Sequence, residues 1–226
     1  SGAFFEAEAL NNMEDDVTHP IKQSEVNTFN GVVRVYKLSD KGRRYAGFTD
    51  PSDGVGDPFV TRIGDVITGE IVCSATGKEK ADRVAEIHDC LVREYRGIER
   101  EACFNSFEYN GSAGGVFAQK LVELKTPNQA PRYKTDGSID FEKRGQTVSG
   151  EHKEKQMGEL AYAIAKRKII NHDKEFIIQA LLVQRNRDKP AMNVKLPFDW
   201  VMATMGWWNL VKKIPTCEYG ITTIDI

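Results

Sequence analysis

The sequence predicts a mixed α+β fold, a mostly antiparallel sheet flanked by helices with a β-rich N-terminal part. Three observations carry this. Residues 31–76 are short runs of β-branched and aromatic residues broken by turn formers. Apolar residues recur at spacings of three and four over 78–98, 151–169 and 198–213, the period of a helix with one buried face. Between them, 102–126 and 174–184 read as strands, the first by alternation and the second by an almost continuous apolar run.

The composition suits a globular protein. Of 226 residues, 40% are apolar and 28% charged, enough to build a core. The net charge of −2 gives no global basic signature, so any nucleic-acid binding must rest on local patches. No apolar run is long enough for a bilayer, and there is no signal-peptide pattern. Cys73, Cys90, Cys103 and Cys217 are too widely spaced for a zinc framework or a disulfide scaffold. They predict free thiols in a reducing, cytoplasmic setting, with a virion as the alternative.

In chain order, residues 1–30 read as an acidic N-terminal arm (Glu6, Glu8, Glu14, Asp15, Asp16) with one short helical turn near Phe4–Met13. Residues 31–226 read as a single α+β domain: a β meander over 31–76, a core over 78–184, and a C-terminal helix and strand over 197–226. In the meander, strands are expected at 32–38, 43–48, 59–63 and 65–73. The segment 50–58 is rich in Asp, Pro and Gly and reads as a loop. Its Asp50, Asp53 and Asp57 do not have EF-hand spacing, and loop chemistry accounts for them.

The helix over 78–98 carries Ala81, Val84, Ile87, Leu91 and Tyr95 on one stripe, with His88 beside it as a packed histidine and Glu86 and Glu94 as surface charges. Residues 102–110 and 114–126 then form a predicted hairpin. Alternation on its second strand puts Phe117, Gln119, Leu121, Glu123 and Lys125 on one face. Glu123 and Lys125 so placed can hold a hard cation and orient a water or a phosphate oxygen. The same pair also serves as an ordinary solvated ion pair on a strand.

Residues 127–150 form a long polar loop with room for a small hairpin around Asp136-Gly137. Arg132, Tyr133, Lys134, Lys143 and Arg144 give it the mixture of cations and aromatics that single-strand binders use, opposed by Asp136, Asp140 and Glu142. The helix over 198–213 holds Trp200, Trp207 and Trp208 and is apolar on most sides. It must be deeply buried or docked on another copy, which predicts a homo-oligomer. Residues 217–226 close as a strand.

From residue 78 the order is helix, hairpin, helix, strand, and V-E-L-K-T-P (122–127) closes the hairpin. This resembles the PD-(D/E)-x-K nuclease superfamily, in its phage-type exonuclease branch. The resemblance implies a metal-dependent nuclease-like domain that hydrolyses DNA phosphodiesters with Mg2+. It implies Glu123 as metal ligand, Lys125 beside the attacking water, and Gln156 as the glutamine that the branch carries on the next helix. Ala113 stands roughly where the family has an aspartate. Either Ala113 marks an inactive site, or Glu108 supplies the second metal-binding carboxylate, or the resemblance is accidental. Two other classes remain open: a non-enzymatic viral or phage assembly protein that forms oligomers, and a single-strand nucleic-acid-binding module built on the 127–150 loop.

Overall fold

The computed structural model describes residues 2–25, 30–134, 136–148, 150–186, 189–191 and 198–214. In chain order the elements are α1 (Ala7–Glu14), β1 (Lys22–Glu25), β2 (Gly31–Val35), β3 (Tyr45–Asp50), β4 (Phe59–Asp65), β5 (Ile71–Gly77), α2 (Ala81–Glu94), β6 (Phe104–Phe107) and α3 (Gly111–Glu123). They continue with β7 (Pro131–Tyr133), β8 (Ile139–Arg144), α4 (Gly150–Ala165), α5 (Lys174–Leu182), β9 (Gln184–Asn186), β10 (Lys189–Ala191) and α6 (Asp199–Val211). The fold class is the mixed α+β arrangement that the sequence predicts.

The main sheet has the order β1-β2-β5-β4-β3-β6. Its ladders are antiparallel except between β3 and β6, which run parallel. A parallel neighbour needs a long crossover, and here the chain from β3 passes through β4, β5 and α2 before β6. Helices α1, α4, α5 and α6 cover one face of the sheet, while α2 and α3 cover the other. The central strands β3 and β4 are therefore buried on both sides. The N-terminal segment contributes to this core: Phe4, Phe5, Leu10 and Met13 are buried, and β1 pairs with β2 at the sheet edge.

Two predicted strands are helices. Residues 111–123 form α3, burying Gly114, Phe117 and Leu121. Phe117 and Leu121 are four apart, a spacing that serves a strand face and a helix face alike. Gly114, three before Phe117, settles the period as helical. Gly114 also lets the helix approach β6, since a Cβ there would lie 2.9 Å from the backbone of Tyr109. Residues 174–182 form α5, burying Phe176, Ile177, Gln179 and Ala180 and exposing Ile178, Leu181 and Leu182. An apolar run this dense does not distinguish a buried strand from a helix by period.

Helix α6 is core rather than interface. Trp207 is 0% exposed, and its Nε1 donates to the Ala46 carbonyl at 3.0 Å. Two glycines bring the helix onto the sheet: a Cβ at Gly64 would lie 2.2 Å from Trp207, and one at Gly206 would lie 2.2 Å from Phe48. The surface that carried the oligomer expectation is thus covered within the chain. Beneath Trp200, the fully buried Arg62 bonds Ser74, Asn171 and Asp173, and its guanidinium lies 5.0 Å from the Trp200 ring. Among the described residues Cys73, Cys90 and Cys103 are free thiols, and no helix is long and apolar enough to cross a membrane. The predicted C-terminal strand, with Cys217, lies outside the described residues.

Candidate metal centre

The parallel pairing of β3 and β6 aligns Thr49 with Phe107. The Glu108 amide donates to the Thr49 carbonyl at 2.9 Å, so Asp50 and Glu108 leave the sheet side by side at the carboxyl end of the two strands. Asp50 is the last residue of β3 because Pro51 follows it and lacks the N–H to extend the ladder. The Asn110 amide holds Glu108 by donating to its Oε1, and also donates to the Val148 carbonyl at 3.2 Å.

The third carboxylate is Asp199, the first residue of α6. Gln179 of α5 fixes that helix end. Its Oε1 accepts from the amides of Trp200 at 2.9 Å and Val201 at 3.4 Å, two donors that a helix start leaves without partners. Asp199 Oδ2 is buried and has no hydrogen-bond partner. The amide of Asp199 itself favours the ionised carboxylate.

The electrostatics tie these groups together. Burial pushes the Asp50 carboxyl well above the ordinary range, and the charges of Glu108 and Asp199 and a hydrogen bond with Glu108 raise it further. Burial likewise raises Glu108, against the pull of Lys153 and the hydrogen bonds from Asp50 and Asn110. Asp199 is pushed up to about 6, first by burial and then by Asp57 and Glu108. Lys153, in the first turn of α4, is lowered by burial while Glu108 and Asp50 pull it back up. Two carboxylates joined by a hydrogen bond need a proton between them, so the Asp50–Glu108 pair cannot carry two full charges without a compensating cation.

As they stand, no three or more His, Cys, Asp or Glu side chains among the described residues are grouped closely enough to hold a metal ion. The three carboxylates nonetheless fit a hard divalent ion. They offer oxygen donors only, Lys153 offsets only part of their charge, and one oxygen of Asp199 lacks a partner.

The residues singled out by the sequence fall in several places. Glu108 stands in the carboxylate cluster. Glu123 ends α3 rather than a strand, is exposed, and contacts Gln119 and Lys120 at 3.4 and 3.7 Å. Lys125 follows at φ 52°, and its carbonyl accepts from Arg93. Ala113 lies in the first turn of α3 and packs partly against the core. Gln156 is buried on α4, one turn after Lys153, and bonds His152.

The predicted polar loop is the β7–β8 hairpin. Arg132 donates to the Gly145 and Arg144 carbonyls and lies 4.5 Å from the Tyr109 ring. Tyr133 donates its amide to Gln146 Oε1 at 3.0 Å, and Gln146 bridges to Glu108. Lys134 and Lys143 are exposed, and Arg144 is partly so. The hairpin therefore springs from the strand end that bears Glu108. Sequence reasoning missed Asp50, set aside as a loop residue, and Asp199. The available signal was positional: each follows an apolar or aromatic stretch and sits at an element boundary.

Neither a protein-family model nor a curated protein matches the sequence. Solved structures do resemble the fold. The large terminase nuclease from thermophilic phage G20c with bound magnesium aligns at a TM-score of 0.64 and 15% identity, over 92% of this chain and 97% of that one. The Thermus phage P74-26 large terminase nuclease domain aligns at 0.62 and 14%, over 92% and 94%. The nuclease domain of the large terminase subunit gp2 of bacterial virus Sf6 aligns at 0.53 and 12%, over 90% and 97%. The chain thus has the fold of these large terminase nuclease domains.

Proposed function

We propose that this chain is a metal-dependent nuclease domain that hydrolyses DNA phosphodiesters, with Asp50, Glu108 and Asp199 as the metal-binding carboxylates. The observation that supports it is the convergence of three carboxylates, from β3, the residue after β6, and α6, at the carboxyl ends of two parallel strands, all shifted upward by burial, with Asp50 and Asp199 raised further by neighbouring carboxylates. Open sheets with parallel strands bind ligands at such ends. The similar folds are nucleases solved with magnesium, cobalt or zinc. Mg2+ is the ion we assign, because the donors are all carboxylate oxygens.

A divalent ion in this position supplies Lewis-acid polarisation of a phosphoryl oxygen and a more acidic water. The chain's own residues prepare the place. Asn110 orients Glu108, Gln179 fixes the helix end that carries Asp199, and Lys153 offsets part of the negative charge near Asp50 and Glu108. The β7–β8 hairpin beside Glu108 offers Arg132, Tyr133, Lys134, Lys143 and Arg144 to the DNA backbone.

Cleavage of a duplex plasmid with Mg2+ or Mn2+ tests this. Asp50→Asn, Glu108→Gln and Asp199→Asn should each lower the rate by about a hundredfold or more. Glu123→Ala and Lys125→Ala should stay within about twofold of the parent, as exposed substitutions do. Loss of activity in the second pair with retention in the first would return the site to the E-x-K motif.

A further inference from the structure

A cleft outside the carboxylate site lies between α4, the C-terminal turn of α6 and the β4–β5 turn. Its volume is about 730 Å³, within the range of ligand clefts, about 300–1,000 Å³. Its charged lining is Lys155, Lys168 and Lys212 against Glu159, which pairs with Lys212. Its aromatic walls are Tyr162, 58% exposed, and the partly buried Trp208.

We propose that this cleft binds a single-stranded segment of DNA, as a contact surface separate from the carboxylates. It rests on the nuclease reading for the identity of the polyanion, but not for its own chemistry. Non-specific single-strand binders combine a cationic groove with aromatic faces on which bases stack. Here the ammonium groups of Lys166 and Lys168 stand 5.9 and 5.5 Å from the Tyr162 ring, so a stacking platform comes with two phosphate anchors. Cations also converge at the neighbouring His152. Burial lowers its pKa, and Lys155, Lys213 and Lys212 lower it further against the opposing pull of Glu159.

The cleft also connects to the hairpin. Lys213 follows the cleft residue Lys212 and places its ammonium 5.2 Å from the ring of Tyr133 on β7. A basic path thus leads from the hairpin beside Glu108, through Tyr133 and Lys213, to Tyr162 and Trp208. An acidic peptide would use the lysines but would leave the two aromatic walls without a stacking partner.

Trp208 provides the readout, because Trp200 and Trp207 are buried. The full chain is titrated in EDTA, where metal-dependent cleavage is silent, with oligothymidylate, a matched duplex and polyglutamate. Oligothymidylate should quench the tryptophan emission, and Trp208→Phe should abolish the quench. The paired substitution Lys155→Glu with Lys168→Glu should weaken oligothymidylate binding about tenfold or more and flatten its salt dependence by about 0.7 per lost phosphate contact. Both lysines are exposed, so circular dichroism should match the parent.

Unchanged affinity in the double variant, or no quench, overturns the proposal. Equal quenching by the duplex removes the single-strand assignment, and equal quenching by polyglutamate replaces DNA with an acidic protein partner. The nuclease reading is scored separately. Quenching without cleavage in any metal sinks that reading and leaves this one. Cleavage with no response to oligothymidylate does the reverse.

Discussion

Replacing Asp199 with Asn should stabilise the metal-free protein at pH 8 and not at pH 4. In the fold the Asp199 carboxyl is held at about 6, against an ordinary value of 3.8. A shift of that size corresponds to about 3 kcal/mol. Asp199 keeps part of its surface in solvent, and screening reduces the figure to about 1–2 kcal/mol. Because the folded value is raised, the native state holds its proton longer than the unfolded chain. Stability from this group is fully present below about pH 4 and is lost as pH rises through about 6. Above that, the parent carries an ionised carboxylate in a repulsive cluster and the asparagine variant does not.

Urea unfolding between pH 4 and 8 in EDTA measures the difference. Saturating Mg2+ should reverse the order, since an ion at a hundred times its Kd adds about 2.7 kcal/mol to the protein that binds it. An Asp199→Asn variant that is less stable than the parent at pH 8 in EDTA, or a difference that does not change with pH, would refute the electrostatic account of the cluster.

Two further outcomes follow from the packing. Trp207→Ala should cost about 3–5 kcal/mol, as removal of a buried Trp does, and Trp207→Glu should leave no cooperative unfolding transition by circular dichroism. A folded Trp207→Glu protein would show that α6 is not core. Arg62→Ala should cost about 3–5 kcal/mol by stranding Asp173 in the interior, measured by urea unfolding at neutral pH. A loss below about 1 kcal/mol would mean that Ser74, Tyr36 and Arg34 satisfy Asp173 without it.

The sequence by itself determined whatever depends on local period and turn chemistry. The strands over 31–35 and 59–65, the helix of Val84 and Leu91, the helix of Met157 and Leu160, and the tryptophan-rich helix are all legible there, because an apolar face must repeat with the geometry of its element. Where an apolar run was continuous, as in Phe176–Leu182, or where its spacing of four fitted both periods, as in Phe117 and Leu121, period could not choose. Packing against α6 and against α2 chose instead.

The site was less legible. Glu108 could be nominated as an acid near a strand end, but its partners lie far away in the chain. Asp50 reaches it only through the parallel pairing of β3 with β6, and Asp199 only because Gly64 and Gly206 let α6 lie close on β3 and β4. Carboxylates become a metal centre through proximity and burial, which raise their pKa values and concentrate their charge. Both are properties of tertiary contact that no local pattern encodes, so the E-x-K motif drew attention while the residues that repel one another across the sheet end did not.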